Sequence, residues 1–271
     1  MVVKCVTKKE LLDRCARSGE ERVLLARVLD KLEQAQNRGI PTYTAFLSPG
    51  EGAAVTGLLA AWGYPKHCFW GGYEQAERRI CAFLPDWQEE EAFCSDSEGP
   101  VAAIEARFPD GASLGHRDIL GSLMGIGLTR EKLGDILLPS PGRCQVIVLR
   151  EVLPILLSQW EQAGRWHLSV KEVLLNQLEV RPAQVKTVRD TVATLRLDSV
   201  LAAGFSLSRS KAAAYISAGK VALNHLECLK GDKPVESGDV LTCRGLGKCV
   251  VKEVLGASKK GRIMLILERY I

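Results

Sequence analysis

Long apolar runs are missing from this 271-residue sequence. The longest candidate, Ile147 to Leu157, is broken by Arg150, Glu151 and Pro154, so no segment reaches the ~18–20 apolar residues that span a bilayer. The first ten residues carry Lys4, Lys8 and Lys9, then run into Asp13, Arg14 and Arg17 rather than an apolar block. That pattern predicts no secretory signal and a cytoplasmic protein. The nine cysteines (Cys5, Cys15, Cys68, Cys81, Cys94, Cys144, Cys228, Cys243 and Cys249) are scattered, odd in number and contain no Cys-x-x-Cys. They read as reduced, small apolar residues, with neither a disulfide framework nor a tetrahedral zinc site expected. The four histidines stand far apart without ligand spacing, and no phosphate-cradling glycine loop occurs. His116-Arg117-Asp118 spells a kinase tripeptide, but the glycine-rich loop and Asp-Phe-Gly that give it meaning are missing. No metal, cofactor or small-molecule substrate is expected.

What is present is a globular composition with an uneven charge. Apolar residues at 46% and charged residues at 25% match ordinary folded domains and exclude disorder as the main state. Residues 183–271 hold 15 Lys or Arg against 8 Asp or Glu, a balance of +7, whereas residues 1–182 hold 21 against 24, a balance of −3. A basic module on a near-neutral body points to a polyanionic partner, because phosphate contacts supply most sequence-independent nucleic-acid affinity.

Hydrophobic spacing divides the chain into three. In the first region, Leu11, Leu12, Val23 to Leu25, Val28, Leu29 and Leu32 recur at helical spacing up to Arg38-Gly39. Thr42 to Leu47 is a strand candidate, and Ser48-Pro49 starts a helix ending at Gly63. Two short strands follow at His67 to Trp70 and Arg79 to Leu84, and the acidic stretch Gln88 to Glu98 reads as a linker or exposed loop. In the second region the strands Val101 to Phe108, Ile136 to Leu138, Cys144 to Leu149 and Trp166 to Val170 interleave with helices Gly115 to Gly125 and Glu151 to Ala163. That is the βαββαβ order of ferredoxin-like and RRM-type plaits. The strand Cys144 to Leu149 has no aromatic on which a base could stack. In the third, Leu197, Val200 and Leu201 form a short helix that Gly204 turns, and Ser208 caps a second helix ending at Gly219. Strand candidates at Val221 to Leu223, Val240 to Cys243, Cys249 to Val254 and Ile263 to Leu267 complete a small curved sheet.

Arg196-Leu197-Asp198, Ser208-Arg209-Ser210, Ala213, Ile216, Gly219, Val221, Asn224 and Gly238-Asp239 resemble an S4 RNA-binding domain in order and spacing. His225 departs from the family's Asn-Gly turn, where positive φ suits Gly better. Arg196-Leu197-Asp198 is also similar to the tripeptide bearing the catalytic Asp of pseudouridine synthases. Here it opens the S4 helix, so Asp198 is expected to be a helix-start acid or the partner of a nearby base. Arg209 and Lys211 lie in a first helical turn that contains no acid, against the helix dipole, where a phosphate would relieve both.

The resemblance extends along the chain. Phe46-Leu47-Ser48-Pro49, Phe69-Trp70-Gly71-Gly72-Tyr73-Glu74, Ala76-Glu77-Arg78, His116-Arg117-Asp118, Leu120-Gly121, Met124-Gly125 and Gly134-Asp135-Ile136 are similar to the YlmH-type S4-domain proteins of Gram-positive bacteria. Arg244-Gly245-Leu246-Gly247-Lys248 resembles the basic glycine turn late in their S4 domain. The family implies an α+β chain: an N-terminal α/β domain (1–95), an RRM-like plait (98–178) and a C-terminal S4 domain (183–271). It further implies a non-catalytic role in ribosome-associated quality control, on a large ribosomal subunit carrying peptidyl-tRNA, with a link to cell division. Arg196, Ser208, Arg209, Lys211, Lys220, Asn224, Arg244 and Lys248 are the expected contacts to rRNA or tRNA, with no catalytic residues. The alternatives are an RNA-modifying enzyme targeted by S4, or a division-linked interaction factor.

Overall fold

Capping residues set the first helices. α1 (Lys8–Cys15) opens with a reciprocal cap between Thr7 and Glu10, and α2 (Gly19–Arg38) with Ser18 accepting from the Glu21 N–H. The periodic leucines therefore belong to two helices, separated at residues 16–18. Leu25, Val28, Leu29 and Leu32 are the buried stripe of α2, and Gly39, at φ 64°, ends it. α3 (Pro49–Trp62) is fixed by Ser48 and Glu51 capping each other and by Pro49 in the first turn. Computed as a structural model, the chain is described over residues 7–257 and 261–270, so Lys4 and Cys5 lie outside the described residues. It divides into two compact units, one ending at Arg181 and the other starting at Pro182.

In the first unit, β1 (Thr42–Tyr43), β2 (His67–Trp70) and β3 (Ile80–Phe83) form a sheet ordered β1-β3-β2. The strand expected over Thr42 to Leu47 stops after two residues, and Leu47 returns as a single bridge to Arg79. The acidic stretch is no linker. It carries α4 (Glu90–Ser95), whose Phe93 is buried because an aromatic amid the carboxylates finds an apolar pocket. β4 (Val101–Arg107), α5 (His116–Gly125), β5 (Leu133–Ser140), β6 (Arg143–Leu149) and α6 (Leu153–Gln159) follow. α6 is shorter than the expected helix because Trp160, with Nε1 donating to Ser122 Oγ, leaves it for the core. β7 (Gln162–Ala163) and β8 (Trp166–His167) make a separate hairpin, so the last strand is β9 (Ser169–Val173).

The four-stranded sheet runs β5-β6-β4-β9 with every neighbour antiparallel. Ala102, Ile104, Ala106, Cys144, Val146 and Val148 meet Ile119, Leu123, Leu153 and Leu156 of the two helices on one face. On the opposite face, Val101, Ile147 and Leu149 share a core with Phe46, Cys68, Ile80, Ala82 and Phe93. The backbone after β9 also crosses that face: Gln145 Oε1 accepts from the Glu179 N–H and its Nε2 donates to the Gln177 carbonyl.

The second unit packs α7 (Leu197–Phe205) and α8 (Arg209–Ser217) against a six-stranded antiparallel sheet. Its strands are β10 (Val185–Val192), β11 (Val221–Leu223), β12 (Leu226–Glu227), β13 (Val240–Cys243), β14 (Gly247–Ala257) and β15 (Ile263–Tyr270), ordered β10-β15-β14-β13-β11-β12. β10 escapes sequence reading because only Val192 along it is fully buried, which leaves no clean alternation. Gly204 lies inside α7 and makes no turn. A Cβ there would sit 2.8 Å from Cys249 Sγ, and the turn falls at Ser206, φ 55°. Among the described residues no helix is long and apolar enough to cross a membrane.

Candidate nucleic-acid interface

The helix pair presents its basic residues by burying its small and apolar ones. Ala212 and Ile216 turn α8 into the core, which leaves Lys211 and Tyr215, four residues apart, on one outward flank. Ser208 Oγ accepts from the Lys211 N–H at 3.2 Å and fixes the start of the helix. Past α8 the Lys220 N–H donates to the Tyr215 carbonyl, and Lys220 Nζ stands 5.6 Å over the Tyr215 ring. The Lys220 carbonyl accepts from the Arg244 N–H at 2.8 Å. Val221 lies opposite Cys243, which in turn faces Gly247, so the Arg244 turn and Lys248 sit at the same end of the sheet as Lys220. Lys248 Nζ lies 4.2 Å over the Tyr270 ring. Lys220, Arg244 and Lys248 thus gather at one end of the sheet, Lys211 stands one helical turn before Tyr215, and two of these four cations lie over tyrosine rings. Both tyrosines escaped the sequence analysis; the four-residue step from Lys211 to Tyr215 was the available signal.

Arg196 and Arg209 differ from those four cations in sharing one acid. Asp198, 7% exposed, accepts from Arg196 (Nε and Nη2, both 3.2 Å), from Arg209 (Nε 3.2 Å, Nη2 3.1 Å) and from Ser199 Oγ (3.2 Å). Burial alone pushes the Asp198 carboxyl up, but the hydrogen bonds and charges of the two arginines outweigh it and hold the carboxyl below its usual range. The absence of an acid in the first turn of α8 therefore leaves only Lys211 uncompensated, because Asp198 reaches Arg209 from α7. Asp198 is both a first-turn acid of its own helix and the partner of two bases.

Asn224 is at the far end of β11 from Lys220, about 13 Å away at the rise of a strand. Its Oδ1 accepts from the Val240 N–H and its Nδ2 donates to Asp239, tying the β11–β12 turn to β13. Asn224 (φ 50°) and His225 (φ 67°) both adopt left-handed geometry, so the two-residue turn forms without glycine.

The motif residues of the first unit form a lock between its two sheets. Asp135 accepts from Tyr73 Oη (2.9 Å) and from the N–H groups of Glu77 (2.8 Å) and Arg78 (3.1 Å). The half-buried Arg78 guanidinium donates to the carbonyls of Leu133, Phe46 and Arg130 at 2.8–3.1 Å. A Cβ on Gly72, at φ +91°, would sit 3.2 Å from Ile147 and Leu175, and so Phe69 to Tyr73 makes a tight packed turn. His116 opens α5, its pKa lowered by burial and by Arg130. Burial pushes the thiols of Cys81 and Cys144 up to about 12 and that of Cys249 to about 11, the opposite of an activated nucleophile.

Three family models match: "YlmH, N-terminal" over residues 20–85, "Putative RNA-binding domain in YlmH" over 100–177 and "S4 domain" over 195–241. A Bacillus subtilis (strain 168) relative, "Ribosome-associated protein quality control protein P2", is 33% identical over 254 residues, covering 92% of this chain and 95% of the relative. A solved structure, "Cell division protein ylmH from Streptococcus pneumoniae", is 21% identical with a TM-score of 0.49, covering 60% of this chain and 96% of its own.

Proposed function

The chain belongs to the YlmH family, and from that premise we propose that it is a non-catalytic, cytoplasmic RNA-binding protein acting in ribosome-associated quality control. It grips rRNA or tRNA on the large ribosomal subunit through its S4 unit. The observation that carries this reading is the gathering of Lys220, Arg244 and Lys248 at one end of the sheet, with Lys211 a helical turn before Tyr215; we read these four cations as one strip for phosphates, with the Tyr215 and Tyr270 rings beside it. Arg196, Ser208, Arg209 and Asn224 support the surface rather than grip the backbone: Ser208 caps α8, Asn224 ties the hairpin, and the two arginines are clamped by Asp198.

The first unit comprises two domains, 1–95 and 98–178, and the second the S4 domain, 183–271. The middle domain is an RRM-like plait, supported by its strand order and by helices confined to one face. Its other face is occupied by the front domain and by residues 177–179, which speaks against base stacking there. The front half therefore orients the S4 unit. A pseudouridine-synthase-like role is disfavoured because both Asp198 oxygens are engaged by arginines. Crosslinking the protein to RNA in cells and sequencing the attached fragments tests the reading. Clustered large-subunit rRNA and tRNA fragments support it, and fragments spread evenly over messenger RNA reject it.

A further inference from the structure

One side-chain cluster of the first unit has no part in the nucleic-acid interface. Cys68, on β2, is buried at 3% exposure. Glu90 and Cys94 lie four residues apart on α4, which places both side chains on one side of that helix. The two Sγ atoms and a Glu90 carboxylate oxygen all lie within 4.8 Å of one another. Among the described residues this is the one place where three such groups converge.

The spacing suits a tetrahedral cation. With metal–sulfur bonds near 2.3 Å and metal–oxygen bonds of about 2.0–2.2 Å, ligand atoms sit roughly 3.5–3.8 Å apart. A contraction of about 1 Å, within side-chain rotation, closes the cluster on an ion. Glu90 has no hydrogen-bond or ion-pair partner among the described residues, so its carboxylate gives up only hydration to turn inward, which the cation's charge offsets. Cys94 also lines a cavity of about 630 Å³ with Trp70, Tyr73 and Asn176. That cavity supplies an entry path and room for water as the fourth ligand.

We propose that Cys68, Glu90 and Cys94 form a binding site for a thiophilic divalent cation, with three protein ligands and one position open to the cavity. Two S–H bonds break, two metal–sulfur bonds form, and both protons leave to solvent; nothing is oxidised or reduced. Two thiolates and a carboxylate around a dication leave a net charge of −1, and the ion ties α4 to the front sheet.

The test uses the full reduced chain and Zn²⁺ as the probe, in competition with a chromophoric chelator. Wild type is expected to retain one tightly held equivalent and to melt at a higher temperature with Zn²⁺ than without. Cys94→Ser is expected to lose both effects, with affinity falling by more than the roughly 10–100-fold typical of losing a supporting residue. Glu90→Gln is expected to weaken binding by a smaller factor. Should Cys94→Ser fail to fold, protection of Cys94 in wild type from alkylation by added Zn²⁺, mapped by peptide mass spectrometry, supplies the answer. Equal Zn²⁺ affinity in wild type and Cys94→Ser, unprotected Cys94, or a Cys68–Cys94 disulfide forming while the reduced chain takes up no Zn²⁺ would each overturn the site.

Discussion

Lys211→Glu separates RNA binding from folding within one side chain. Lys211 is exposed in the first turn of α8, and that turn holds no acid. A cation there opposes the helix dipole by about 0.3–1 kcal/mol, and an anion gains about as much. After allowance for solvent, charge reversal is expected to stabilise the S4 unit by about 0.5–1.5 kcal/mol. For a unit of this size that raises its melting temperature by roughly 2–10 °C. The same change removes one phosphate contact and adds repulsion. Affinity for structured rRNA in a filter assay is expected to fall about tenfold, roughly 1.4 kcal/mol, and the salt slope to drop by about 1. Wild type, with four strip cations, is expected to show a slope of roughly −3 to −4. Unchanged affinity and slope in a folded variant would refute the strip, and a lowered melting temperature would refute the helix-start argument.

Arg209→Glu behaves differently. It sets a second carboxylate against Asp198 and is expected to lose about 1–2 kcal/mol of stability, so calorimetry should rank it well below Lys211→Glu. The depressed Asp198 pKa stabilises the fold above the unfolded carboxyl's value of 3.8 and ceases to do so as pH falls through the lower folded value. Asp198→Asn is therefore expected to flatten the acid arm of stability measured between pH 5 and pH 2. Gly204→Ala is expected to cost about 1–2 kcal/mol, because the Cys249 clash outweighs the gain of helix propensity, and Cys249→Ala should restore it in denaturant titration. Arg78→Ala is expected to destabilise the first unit by about 1–3 kcal/mol by removing a donor from three carbonyls, of which Leu133 keeps Arg130 Nη1 and Arg130 keeps the Leu133 N–H, with RNA affinity of the S4 unit unchanged.

Local rules read best where one residue type has one physical use. Ser48-Pro49, Ser208 and Gly39 cap helices wherever they occur in such contexts, and the second β-rich region of the first unit follows from apolar alternation. Phe93 shows the limit. A mostly acidic stretch looks solvated until one aromatic finds a pocket built by residues scattered from 46 to 149. Gly204 was legible as a glycine but not as a close approach, since Cys249 lies 45 positions away. At the interface, charge singled out the second unit and the cations that the fold gathers at one end of its sheet. It could not say that Asp198 would reach Arg209 across two helices, or that Tyr215 and Tyr270 would lie beneath lysines, because those are pairings made by the fold.

The most direct measurement is sedimentation of the full chain with ribosomal particles through a sucrose gradient at physiological salt. The protein is expected in the large-subunit fraction, enriched where that subunit retains a peptidyl-tRNA. Lys211→Glu combined with Lys220→Glu is expected to leave it at the top of the gradient while its melting temperature does not fall. Even distribution over free, small-subunit and large-subunit fractions, or a double variant that still travels with the large subunit, would contradict an S4 strip that grips ribosomal RNA.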